Sequence, residues 1–230
     1  MIKLENVTKK YGKFEALKGI SFKVKEGEIV GLLGPNGAGK STTMNIITGF
    51  IEQTSGTVTV DEIDVLKKPS KAKKLIGYMP EGVPLYNELT VKEFVSYMAE
   101  LKRVNKKEIK EKVQKTLEDT GLLDVQNKLI RNLSRGYKQR VSLAGAIVGD
   151  PKILILDEAT SSIDTRTEQQ IQAAMDNLMK GRTSFIIAHR LSTIIDSDVI
   201  HIIDKGKLVD SGNHKELLKK SKIYKNNEDN

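Results

Sequence analysis

Eight consecutive residues near the start of the chain, Gly34-Pro35-Asn36-Gly37-Ala38-Gly39-Lys40-Ser41, have the types and spacing of a loop built to hold phosphate. In the pattern G-x-x-x-x-G-K-[ST], glycines let successive backbone N–H groups curl around phosphate oxygens. The helix that follows adds the positive end of its dipole. Lys40 reaches the β- and γ-phosphates, the Ser41 hydroxyl is a Mg²⁺ ligand, and Thr42 beside it completes the nucleotide-contacting set. An apolar strand-like run at 29–33 precedes the loop and a helical pattern over 41–48 follows it. These flanks separate a phosphate loop from an incidental glycine turn, and they predict a nucleoside triphosphate ligand.

Further polar groups close apolar runs later in the chain. Ile153-Leu154-Ile155-Leu156 ends in Asp157-Glu158, and the C-terminal ends of parallel strands are where open α/β sheets bind ligands. Asp157 suits a water-mediated Mg²⁺ role, and Glu158 is placed to polarise an attacking water. In a chain without a phosphate loop the same pair would serve as helix caps. His189 follows Phe185-Ile186-Ile187-Ala188; a histidine there is as readily structural as catalytic, but beside a nucleotide it reaches the γ-phosphate edge. Tyr11, followed by Gly12, is by itself an aromatic near a turn.

The elements that must position these groups are legible as hydrophobic runs. Short β-rich pieces at 2–7, 20–24, 29–33 and 57–60 are bounded by Gly, Glu-Gly or Ser-Gly. Between 91 and 148 the spacing turns helical and rich in Lys and Glu. Strands are expected at 153–156 and 184–188, a helix at 168–179 and a hairpin-like stretch at 199–209. Apolar strands alternating with helices predict an α/β fold around a buried, mostly parallel sheet. We expect one domain over 1–230, with a nucleotide-binding core from 1–79 and 148–220. A helical insertion covers 80–147, and a polar tail that frays covers 221–230.

Composition narrows the function classes. A chain of 230 residues with 38% apolar residues carries a sizeable core, and with no cysteine it is neither a disulfide scaffold nor a thiolate metal site. Net charge is +8. The lysines of 102–115 are interleaved with Glu108 and Glu111, as on a solvated helix, and no groove-reading motif accompanies them. No nucleic-acid partner is expected. There is no leader pattern, and no apolar run approaches the length of a membrane span. A soluble, cytoplasmic protein is expected.

The segment Leu133-Ser134-Arg135-Gly136-Tyr137-Lys138-Gln139-Arg140, with the phosphate loop and acidic pair, resembles the nucleotide-binding domain of ATP-binding-cassette (ABC) transporters. The likeness, in a signature usually written L-S-G-G-Q, extends over nearly the whole chain. It implies a P-loop NTPase (RecA-like) core with an N-terminal antiparallel β subdomain, an inserted helical subdomain, and Mg-dependent ATPase activity. It implies that Tyr11 stacks on adenine, that His189 is the switch histidine, and that Ser161-Ser162-Ile163-Asp164 communicates across a dimer. Ser134 and the amides near Gly136 would face the γ-phosphate of ATP held by a second subunit, in an ATP-sandwich homodimer or an equivalent pair. The implied partner is a transmembrane permease, with the cassette peripheral at the inner face of the membrane.

Three residues depart from the family pattern. Arg135 replaces a glycine, Tyr137 replaces a glutamine, and Glu81 stands where a lid glutamine normally approaches Mg²⁺ and water. The two halves also resemble different branches: up to Leu156, stand-alone subunits that serve separate permeases; from Ala159 onward, exporters with the ATPase fused to the membrane domain. A chimera joined near Asp157-Glu158 accounts for this, as does a natural branch that mixes the features. The competing function is a module that binds ATP and dimerises with little hydrolysis. Cassettes of DNA repair, chromosome maintenance or ribosome work carry coiled coils, zinc motifs or paired cassettes, none of which is visible in the sequence.

Overall fold

Alternation along the first two strands sends Ile2, Leu4, Val7, Leu17, Ile20 and Val24 into the core, and this pattern pairs β1 (Ile2–Tyr11) with β2 (Phe14–Val24) in a long antiparallel hairpin. The computed structural model describes residues 1–80, 82, 85–157, 175, 178–179, 181–188 and 191–226. They fall into two compact units, Met1–Ile76 with Gly181–Asn230, and Gly77–Lys180.

In the first unit, β1 also pairs antiparallel with β4 (Ser55–Val60), which pairs with β5 (Ile63–Asp64), giving the order β2-β1-β4-β5. A second sheet centres on β3 (Ile29–Leu33), flanked in parallel by β8 (Thr183–Ile187) and β9 (Val199–Asp204); β10 (Lys207–Gly212) closes the edge antiparallel to β9. Covered on both faces, β3 and β8 are buried along nearly their whole length rather than alternating, with Thr183 and Ser184 as the polar start of β8. The helices are α1 (Lys40–Ile47), α2 (Pro69–Leu75), α6 (His214–Lys220) and α7 (Lys222–Asn226). One buried polar residue stands in β9: His201 packs 4.7 Å from the Phe22 ring and shares a 2.8 Å hydrogen bond between Nδ1 and Ser211 Oγ. Burial pushes its pKa down to about 4, so the ring is neutral.

In the second unit, β6 (Ile76–Met79) lies beside β7 (Ile153–Asp157). The helices are α3 (Val91–Leu101), α4 (Ile109–Asp119) and α5 (Arg135–Ile147). Thr90 and Glu93 form a reciprocal capping box at the start of α3. Phe94, Val95, Val113, Leu117, Leu122, Val141 and Ala144 make the core of this helical unit.

Residues 77–180 form one compact unit that includes the helices and runs across the boundary expected at 148. β6 approaches the end of α5 so closely that a Cβ on Gly77 would lie 2.6 Å from the Ala146 carbonyl and 2.7 Å from the Pro151 ring. The tail expected at 221–230 is helical over its first part, where Tyr224 is fully buried and hydrogen-bonded to His214 Nδ1 at 2.8 Å. One aromatic ring outweighs the polar composition around it. Of the helix expected at 168–179, only Met175, Leu178 and Met179 are among the described residues; they are helical and buried.

Candidate functional site

The chain leaves β3 at Leu33 and turns through the phosphate loop into α1. Two glycines make the turn possible. At Gly34 a Cβ would collide with the Ile203 carbonyl oxygen. At Gly39, which begins α1 in the left-handed region (φ 112°), a Cβ would sit 2.7 Å from Leu17 Cδ2. Main-chain bonds hold the loop from outside: Gly206 N–H donates to the Ala38 carbonyl (2.9 Å), and Lys18 N–H donates to the Gly206 carbonyl (2.8 Å). Inside, Ala38 N–H donates to the Pro35 carbonyl at 3.1 Å. No side chain caps the first amides of α1, and its first turn carries no acid, an arrangement that favours an anion at this end.

Lys40 is 5% exposed, and its Nζ donates to the carbonyls of Gly34 (2.6 Å) and Pro35 (3.2 Å). The ammonium is thus curled over the mouth of its own loop. Ser41 is exposed and Thr42 half-buried. Residues of the 36–42 loop line one side of a hollow of about 220 Å³; Tyr11, Phe14 and Ala16 of the hairpin line the other. Tyr11, Asn36, Gly37, Gly39, Lys40, Ser41 and Thr42 therefore line one hollow. Gly34, Pro35 and Ala38 lie behind them and shape the loop. Phe14 was not anticipated, although its place opposite Tyr11 in a two-residue hairpin was readable from the Gly12-Lys13 turn.

In the second unit Asp157 ends β7 and is 9% exposed. Tyr78, on β6, is pushed up to about 12, by burial first and then by the charge of Asp157, so its phenol stays protonated. Among the described residues no cluster of three or more His, Cys, Asp or Glu side chains could hold a metal. Taken singly, the Ser41 hydroxyl and the Asp157 carboxylate are oxygen donors of the kind Mg²⁺ takes, an ion that keeps several waters and draws its other oxygens from phosphate. Glu81, Glu158, Asp164 and His189 lie outside the described residues.

The signature segment opens α5. Ser134 is the N-cap residue, its Oγ accepting from Tyr137 N–H at 3.5 Å, and Gly136 is buried in the first turn. Tyr137 is engaged by neighbours within its own unit. Its hydroxyl donates to Asp124 Oδ2 at 2.8 Å, and the Arg140 guanidinium lies 4.5 Å over its ring while Nη1 donates to the Gly121 carbonyl at 3.2 Å. The bond to Asp124 raises the Tyr137 pKa. Asp124 and Arg140 were missed from sequence, because no periodic pattern links the 3₁₀ turn at Leu123–Val125 to α5.

Comparison with known proteins gives this geometry a family. The ABC transporter sequence profile matches residues 17–161. The chain is 39% identical to the ATP-dependent lipid A-core flippase of Ralstonia nicotianae, over 97% of this chain and 39% of the flippase. It is 36% identical to the linearmycin resistance ATP-binding protein LnrL of Bacillus subtilis, over 94% of this chain and 70% of LnrL. It thus spans about two fifths of the length of its flippase relatives. Both alignments cover more than either side of Asp157-Glu158 alone. Among solved structures, a bacterial Atm1-family ABC exporter with ATP bound superposes with a TM-score of 0.86 at 32% identity, covering 98% of this chain and 40% of the exporter. A dimeric ATP-binding cassette in a post-hydrolysis state, bound to ADP and Pi, gives 0.83 at 29% identity, covering 93% of this chain and 99% of that one. The profile match and these relatives together show the family: the chain belongs to the ABC transporter family and carries its ATPase domain.

Proposed function

We propose that this cassette binds Mg·ATP in the hollow between the Tyr11 hairpin and the 34–42 loop, closes on a second cassette across the nucleotide, and by hydrolysis drives a permease carried on a separate chain. The observation that supports it is the hollow itself, planar and aromatic at one end, cationic and rich in amides at the other. Adenine stacks on Tyr11, the triphosphate lies along the loop, and Lys40 exchanges the carbonyls of Gly34 and Pro35 for the β- and γ-phosphates. Ser41 and Asp157 would hold Mg²⁺, which when bound would supply charge neutralisation at the phosphates. Glu158 orients and polarises the attacking water, with Glu81 and His189 at the γ-phosphate edge. From the partner cassette, Ser134 and the amides near Gly136 close the site and Asp164 carries its state across the dimer, which is head-to-tail and two-fold symmetric.

No helix among the described residues is long and apolar enough to cross a membrane. LnrL, matched over most of its length, is itself named an ATP-binding protein, which supports a separate permease and a cytoplasmic position at the inner face of the membrane. The names of the relatives, flippase and exporter, support export as the direction.

Glu158→Gln tests the chemistry. It keeps size and hydrogen bonding but removes the basic charge, so ATP binding should survive while turnover falls about 10²-fold or more. The variant should accumulate as an ATP-bound dimer, seen by light scattering at stoichiometric Mg·ATP; wild-type turnover in it would remove Glu158 from the mechanism. A second reading, a recombined cassette that binds and dimerises with little turnover, is favoured by Arg135 and by Tyr137, whose hydroxyl is tied to Asp124. Absence of phosphate release from the unmodified protein would select it.

A further inference from the structure

Two large aromatic side chains stand exposed at the rim of the phosphate-loop hollow, Tyr11 at 49% and Phe14 at 64%. Their placement is coupled. Tyr11 ends β1, Phe14 opens β2, and the two are direct partners across the hairpin. Direct partners leave a sheet on the same face with Cβ atoms roughly 5 Å apart. Ala16 faces the same hollow, and Leu17 beside it meets Gly39 of the loop, which fixes the hairpin tip against the phosphate site. On β1, Lys9 Nζ lies 5.0 Å over the Tyr11 ring and is tethered by donating to the Glu52 carbonyl at 2.6 Å. A cation therefore occupies one face of Tyr11, and a planar ligand has the other. Neighbours as close as Tyr11 and Phe14 leave no room for a base between their rings. A base stacked on Tyr11 meets Phe14 along its side.

We propose that Phe14 is the second wall of the base pocket and the residue that favours purines over pyrimidines. A bicyclic base on the open face of Tyr11 reaches Phe14 with its outer ring, whereas a single-ring base is too short to do so. The contact is apolar, so it selects on size and not on the hydrogen-bonding edge of the base; adenine and guanine are equivalent to it. This rests on the reading of the hollow as the nucleotide site.

The test is calorimetric titration of the full chain, as unmodified protein, Phe14→Ala, Phe14→Tyr and Tyr11→Ala, with ATP, CTP and inorganic tripolyphosphate. Phe14 is exposed, so its replacement leaves the core intact. Phe14→Ala should weaken ATP about 5- to 10-fold, within the range of base–aromatic contacts. CTP should stay within about twofold of its starting affinity and tripolyphosphate should not change. Phe14→Tyr should keep the original ATP-to-CTP ratio. The proposal is overturned if Phe14→Ala leaves ATP unchanged, or weakens ATP and CTP alike, while Tyr11→Ala still weakens both. If Tyr11→Ala leaves ATP affinity untouched, the base does not lie on this hairpin, and the site reading falls together with the proposal.

Discussion

The phosphate loop and the first turn of α5 both present helix amides, and each is secured by a different part of the chain. Around the loop the restraint is main chain: Gly206 and Lys18 amides, the Ala38, Pro35 and Gly206 carbonyls, and two positions where a Cβ has no space. Around α5 it is side chain, with Ser134 on the Tyr137 amide, Tyr137 on Asp124, and Arg140 on the Tyr137 ring and the Gly121 carbonyl. Main-chain restraint demands glycine at fixed intervals, so the loop keeps its motif. Side-chain restraint can be assembled from different residues. Arg135 and Tyr137 can therefore stand where the family pattern has glycine and glutamine, with α5 still formed.

The contrast can be broken most directly at the loop. Lys40→Ala removes the ammonium that lies over the Gly34 and Pro35 carbonyls and should lower ATP affinity about 10³-fold, the worth of two charge-assisted hydrogen bonds. Calorimetry with affinity unchanged would mean that the amides alone bind the triphosphate.

The next effect separates the units by pH. His201 has its folded pKa depressed to about 4 from 6.5, by burial. The fold favours the neutral ring, so the unfolded chain binds more protons between those values. The associated stability is fully present above about pH 6.5 and is lost as pH falls toward 4, on the order of 3 kcal/mol in all. In the second unit, burial lowers Lys102 from 10.5, so its neutral form is favoured and its destabilising effect is relieved only as pH rises toward the alkaline range. Urea unfolding at pH 7 and pH 4.5 should show the acid loss, and His201→Phe should flatten it. A slope unchanged in that variant assigns the acid sensitivity to other groups.

The smallest effect sharpens the side-chain half of the contrast. Tyr137→Phe deletes one hydroxyl and should reduce stability by about 1 kcal/mol, leaving the ATP affinity of the isolated subunit as it was. A loss above about 3 kcal/mol in urea unfolding would mean that α5 is as tightly determined as the loop.

Legibility from sequence followed the same division. The strand at 29–33 and the helix after the loop were readable to within a residue, because glycine spacing and continuous apolar runs are local signals. β1 and β2 proved longer than their apolar stretches, since exposed Lys, Tyr and Phe side chains carry the hairpin on to Tyr11 and Phe14. That extension concealed Phe14. The Tyr137–Asp124 bond joins residues from a helix and a 3₁₀ turn, and composition holds no trace of such a pairing. Tyr224 was concealed for the opposite reason: a polar stretch drew attention away from the one ring in it that is buried.

The place of β3 has a consequence for how the protein comes into being. Its two neighbours, β8 and β9, both lie beyond residue 182, and the whole of the other unit is translated in between. At ribosomal speeds of about 5–20 residues per second, the strand that feeds the phosphate loop waits on the order of ten seconds with both edges unpaired. An open apolar strand of this kind is a template for wrong pairing until β8 and β9 have emerged. The phosphate loop is thus encoded early, while the strands that hold its feeding strand in the sheet arrive only after residue 182.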